Sequence, residues 1–184
     1  PIYASCWRNG SIEITELLLQ SAIQHDPANP NIGGLFASKA NGKMVIDKMI
    51  EHYGSENSWK CIQRVLSRFK SIPILHQSIL SATKHVEKII KFLPHACLLR
   101  DKDKRLPIHL ALASGMKSSP KLTSIIHCNL QFIGESDPVT MQCASQLAAS
   151  EPSCDKMTIG YLVVIEKSFE GTKEPERKRQ KLIP

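Results

Sequence analysis

A chain of 184 residues, 42% of them hydrophobic, can bury a substantial core, which excludes a mere linker or solvated tail. Aromatic residues make up only 5%, while Leu, Ile and Ala abound, so helices packed through aliphatic and small side chains are expected rather than an aromatic-rich β core. The formal charge is +7, and apolar runs such as "YLVVI" at 161–165 fall far short of the roughly 20 residues of a membrane span, so no membrane partner is expected.

The sequence opens on Pro1 with no methionine and no readable signal peptide, so the chain is expected to begin inside a longer protein. In "PIYASCWRNGSIEITELLLQSAI", Pro1 and Ile2 precede Gly10 and an apolar helix through Leu17 to Leu19. An irregular stretch follows at 24–38, where "HDPANPNIGG" reads as a proline-bearing loop bending at Gly33–Gly34. Next, Val45, Ile46 and Asp47 start a helix that Gly54 ends, and Ile62, Val65 and Leu66 mark a second helix. The stretch "PILHQSILSATKHVEKIIKFLP" repeats this design, with Ile74, Leu75, His76 and Ile79 before Val86, Ile89, Ile90 and Leu93.

The clearest block is "RLPIHLALASG" at 105–115. Pro107 suits a first helical position, where its missing N–H costs nothing, and Gly115 can take the left-handed conformation that ends the helix. Ala111 gives a face small enough for close approach, and Ile108, Leu110 and Leu112 supply bulk around it. Ser119 and Pro120 then start a second helix with Leu122, Ile125 and Ile126 on its apolar face. A weaker unit begins at Ala144, with Ala148 and Ala149 in the small-residue positions and Ile159, Leu162 and Val163 matching Leu122, Ile125 and Ile126. Anchors at 1, 45, 74, 107 and 144 bracket a period of about 33 residues, and neither helix of a unit buries its apolar face alone.

"LPIHLA" at 106–111 resembles the TPLHxA signature of the ankyrin-repeat family, of which this chain looks like a divergent member. The resemblance spans nearly everything up to 168. It is specific in the fourth unit, fair in the first and degenerate in the others. It implies an all-α fold, an ankyrin-like α-solenoid of about five stacked helix-turn-helix repeats with short turns or hairpins between units. Units are expected near 1–30, 40–70, 72–97, 100–132 and 137–166, within a repeat domain at 1–168. His109 and His76 are then structural, bonding locally and bridging to the adjacent repeat, as are Pro107, Ile108, Ala111 and Gly115. The family threonine is replaced by Leu106, so a capping hydroxyl is missing. The implied function is a non-enzymatic, monomeric scaffold for another protein, bound through turn tips and the concave first-helix face. Those positions here are Lys39, Asn41 and Lys43, then Asp101, Lys102, Lys104 and Arg105, with Ala113 and Ser114 near the concave face.

Chemistry-bearing patterns are sparse. The six cysteines form no CxxC pair and the histidines no zinc-ligand spacing, so no metal or cofactor is expected and free thiols in a reducing, cytoplasmic or nuclear compartment are. "DKDKRL" opens like a calcium loop but places Leu106 at the required glycine and Leu112 at the bidentate glutamate. No phosphate loop or nucleophile motif is present, so neither an enzyme nor a small-molecule substrate is expected. Residues 169–184 turn charged and proline-broken, and a disordered tail is expected. Within it Arg177, Lys178, Arg179 and Lys181 resemble a nuclear import signal. This leaves an alternative: a nuclear factor whose tail mediates import or weak nucleic-acid association over a passive scaffold. Sequence-specific nucleic-acid recognition lacks an aromatic platform or a reading helix.

Overall fold

A computed structural model describes residues 10–27, 29, 31–37, 43–69 and 71–170. Pro1, Ile2, Lys39, Asn41, Arg177, Lys178, Arg179 and Lys181 lie outside the described residues, as does the expected tail beyond 170. Among the described residues the fold is all-α, with nine α-helices, two short 3-10 turns and no strand. The chain forms two compact units divided between Leu99 and Arg100, a boundary that falls between the third and fourth sequence repeats.

The first unit holds α1 (Ile12–His25), α2 (Val45–Tyr53), α3 (Ser55–Arg68), α4 (Ile74–Leu80) and α5 (Val86–Phe92). Helix α1 starts where the Ser11 hydroxyl accepts the Ile14 N–H, and it buries Thr15, Leu19 and Ile23 at four-residue spacing. Gly54, at φ 79°, is the sole link between α2 and α3 and gives a tight helical hairpin. Helices α4 and α5 form a second hairpin, and α3 packs on both α1 and α5. Trp59, fully buried on α3, stacks on Phe92 at 6.0 Å and meets His85 edge-on at 5.8 Å. Such ring contacts add specificity to aliphatic burial by Ile46, Met49, Ile62, Val65 and Ile89.

The stretch at 24–38 belongs partly to this core. Ile32, Leu35 and Phe36 are buried, and a Cβ on Gly33 would lie 3.0 Å from Ile23 Cγ1 and 3.2 Å from Leu19 Cδ1. Glycine is therefore favoured there both for its φ of 62° and because a Cβ would make its α1 neighbours give way by a few tenths of an ångström. The Ala37 and Leu35 carbonyls then accept the N–H groups of Val45 and Ile46, which ties the loop to the start of α2.

The second unit holds α6 (Pro107–Ala113), α7 (Pro120–Cys128), α8 (Ala144–Ser150) and α9 (Lys156–Glu170). The hairpins α6–α7 and α8–α9 are joined by packing of α6 on α8. Ser119 caps α7 through the Leu122 N–H, and Pro120 occupies its first turn, as the sequence suggests. Gly115, at φ 69°, closes α6: its N–H reaches the Leu112 carbonyl, and the Met116 N–H reaches Ala111. Ala82 takes the same place after α4, at φ 48°, with the Thr83 N–H bonded to the Ser78 carbonyl. Leu122, Ile125 and Ile126 are all buried, whereas only Leu162 of the matching trio on α9 is fully covered.

Candidate interaction surface

One polar position recurs two residues after the last four anchors: Asp47, His76, His109 and Gln146. Three of these side chains accept the backbone N–H three residues upstream. Asp47 Oδ2 takes that of Met44 at 3.1 Å, His109 Nδ1 that of Leu106 at 3.4 Å, and Gln146 Oε1 that of Cys143 at 3.0 Å. Each satisfies a helix-terminal donor that has no intrahelical partner. Leu106 makes no side-chain cap, so at α6 only the reciprocal half of a capping box is made: His109, the third helical residue, takes the N–H of Leu106, and no side-chain hydroxyl at 106 serves the first-turn N–H groups. His76 is buried too, but three residues upstream of it stands Pro73, which has no N–H to offer.

Two of these side chains also reach forward along the chain. His109 is fully buried, and because Nδ1 accepts, Nε2 carries the proton and donates to the Glu135 carbonyl at 3.0 Å. Burial pushes the imidazole pKa below its ordinary value, against the raising influence of that carbonyl and of Asp137. Asp47 meets His85 Nε2 and Lys84 Nζ, each at 3.0 Å from Oδ1. Burial works against its charge, but Lys84, the Met44 N–H and His85 together outweigh it and hold the carboxyl below the usual range.

Two turns precede α6 and α8 and share one design. In the first, Asp101 Oδ1 accepts the N–H groups of Asp103 and Arg105, and the Asp101 N–H bonds to the Arg105 carbonyl. In the second, Asp137 accepts the Val139 N–H and the Thr140 hydroxyl, and its N–H bonds to the Gln142 carbonyl. Lys104 and Met141 hold the matching left-handed positions, at φ 62° and 60°. The guanidinium of Arg100 joins the two: Nη1 donates to the Lys104 carbonyl at 3.2 Å and Nη2 to Glu135 Oε2 at 2.6 Å. With His109 bonded to Glu135 as well, the bases of the turns are held side by side.

The expected partner-contacting residues divide accordingly. Lys102 and Lys104 are exposed at the first tip, and Ala113 and Ser114 are exposed at the end of α6. Asp101 and Arg105 are mostly covered and paired at 3.1 Å, so they build the turn. Lys43 pairs with Glu51. Pro107 through Leu112 are all buried, which limits the open surface of α6 to its C-terminal end. Sequence reading passed over Val139 and Met141, which stand 58% and 75% exposed on the second tip. Alignment of "DPVTMQC" with "DKDKRL", allowing one extra residue, is the signal that finds them.

Other chemistry is absorbed locally. The buried Glu166 carboxylate on α9 accepts the Ser145 N–H at 2.8 Å and its hydroxyl, fixing the start of α8. Among the described residues no three His, Cys, Asp or Glu side chains cluster to hold a metal, Cys143 and Cys154 are free thiols, and no helix is long and apolar enough to cross a membrane. Compared with known proteins, the chain matches no family model, no curated protein and no solved structure.

Proposed function

We propose that the chain is a non-enzymatic protein-interaction scaffold, an ankyrin-like stack of helical hairpins that offers its inter-repeat turns to another protein. The observation that carries this reading is the recurring polar position. Asp47, His109 and Gln146 spend their acceptors on helix-end N–H groups, and His109 spends its remaining ring nitrogen on the next connector. An acceptor repeated at one lattice position for such bonding is a packing device, and it leaves the exposed tips as the variable surface. The pairing of hairpins within each unit is compatible with this architecture.

The test is affinity capture from a native extract with the intact chain, a Lys102→Glu/Lys104→Glu variant and a chain truncated after Glu170. A defined protein retained by the truncated chain and lost with the charge reversals is the expected result. A second reading, a nuclear factor driven by the basic cluster at Arg177–Lys181, is favoured by the composition of that segment. It takes over if capture disappears on truncation or nuclease treatment, and if residues 169–184 carry a reporter into the nucleus.

A further inference from the structure

We infer that the paired turns at 101–105 and 137–142 form a docking surface for an acidic peptide segment carrying apolar side chains; this rests on the scaffold reading and adds the chemistry of the partner. The charge arrangement around the tips gives the first reason. Asp101 and Asp103 both turn to Arg105, Glu135 is held by Arg100, and Asp137 is buried within its own turn. Every neighbouring carboxylate thus has a local use. Lys102 and Lys104 have no ion-pair partner among the described residues and leave the first tip positive.

The second reason is the apolar character of the adjacent tip. Val139 and Met141 project into solvent from a turn of only a few residues, where polar side chains would be the ordinary choice. Methionine adapts its shape to an apolar partner. The third reason is backbone conformation. Lys104 and Met141 sit in the left-handed region, where glycine would be easier, yet each keeps a long side chain at an exposed tip. Such strain is retained where the side chain has a use beyond folding.

Other occupants fit less well. A nucleic acid would use the lysines, but the tips offer no ring for a base to stack on and would leave Val139 and Met141 idle. A second copy docking tip to tip would set lysine against lysine. An acidic segment with aliphatic or aromatic residues uses all four side chains at once, and its charge would steer encounter with the positive tip.

The experiment is selection of a displayed library of random dodecapeptides on the full chain, followed by affinity measurement of the recovered peptides. They are expected to carry Asp or Glu beside Leu, Phe or Met and to lose affinity as salt is raised. Lys102→Glu/Lys104→Glu should weaken them about tenfold, and Val139→Ser/Met141→Gly about fivefold, with the helical circular dichroism of both variants unchanged. Recovered peptides that lack acidic residues yet respond to the tip variants would overturn the partner chemistry and leave the scaffold reading intact. Peptides indifferent to both variants, or no recovered peptide, would overturn the docking surface. The scaffold reading then stands or falls separately on the capture experiment.

Discussion

Asp47 and His109 occupy the same place in two different hairpins and do the same local work in opposite electrostatic states. Asp47 is a charged carboxylate, partly open to water and surrounded by Lys84 and His85. His109 is a neutral imidazole sealed from solvent, with one nitrogen accepting and the other donating. The position therefore demands an acceptor one helical turn from the first N–H and some forward reach, and it tolerates either chemistry. What differs is how each hairpin responds when that acceptor is lost or protonated.

The largest expected effect is His109→Ala. It leaves the buried Leu106 N–H and Glu135 carbonyl without partners and should cost about 3 kcal/mol in the second unit. Asp47→Ala removes a partly exposed cap and should cost about 1–2 kcal/mol in the first. Trp59 lies in the first unit and no tryptophan occurs in residues 100–184, so tryptophan fluorescence should follow the Asp47 variant, while far-UV circular dichroism also registers His109. Coincident loss of both signals in both variants would show that the units unfold together.

Acid should separate the two positions further. The folded pKa of His109 lies below its unfolded value, so the unfolded chain takes up the proton first. The second unit should then lose stability as pH falls below about 6.5 toward the folded pKa, and His109→Gln should remove that slope. The folded pKa of Asp47 is also depressed, so its contribution is present above the unfolded carboxylate range and fades only as pH falls from about 4 through the folded value. Hydrogen exchange at α6 and α2, followed from pH 7 to lower values, checks the order. Earlier loosening of α2 would break the comparison.

Smaller effects are expected at the turns. Lys104→Gly and Met141→Gly relieve a left-handed side chain but free the unfolded chain, so stability should lie between no change and a gain of about 1 kcal/mol by chemical denaturation. A clear loss would mean that these side chains help to hold the turns. At the bottom of the scale, Lys60→Ala breaks an exposed pair with Glu56 on α3 and should leave the denaturation midpoint unmoved.

Much of this was legible in the residues, because the devices involved are local. Pro107, Gly115, Ser119 and Pro120 mark the ends of α6 and α7, since missing N–H groups, left-handed φ and capping hydroxyls act within one turn of chain. The repeat spacing also locates the capping position that His109 fills. That its imidazole takes the Leu106 N–H on one side and reaches the Glu135 carbonyl on the other is invisible without geometry. So is the partnership of Asp47 with His85, 38 residues apart with no periodic signal to join them. The paired tips were half legible: the charged one stands out in composition, while Val139 and Met141 look like ordinary apolar residues until Asp137 is seen to turn the chain beneath them.

Gly33 carries a lesson for anyone reshaping this chain. The connector between α1 and α2 has no helix among its described residues and reads like spare sequence, an inviting place to graft an epitope or open the backbone. With Ile32, Leu35 and Phe36 buried and a Cβ at Gly33 pressed against Ile23 and Leu19, such a graft would strike the core, whereas Lys102, exposed at a turn tip, has no such packing to lose.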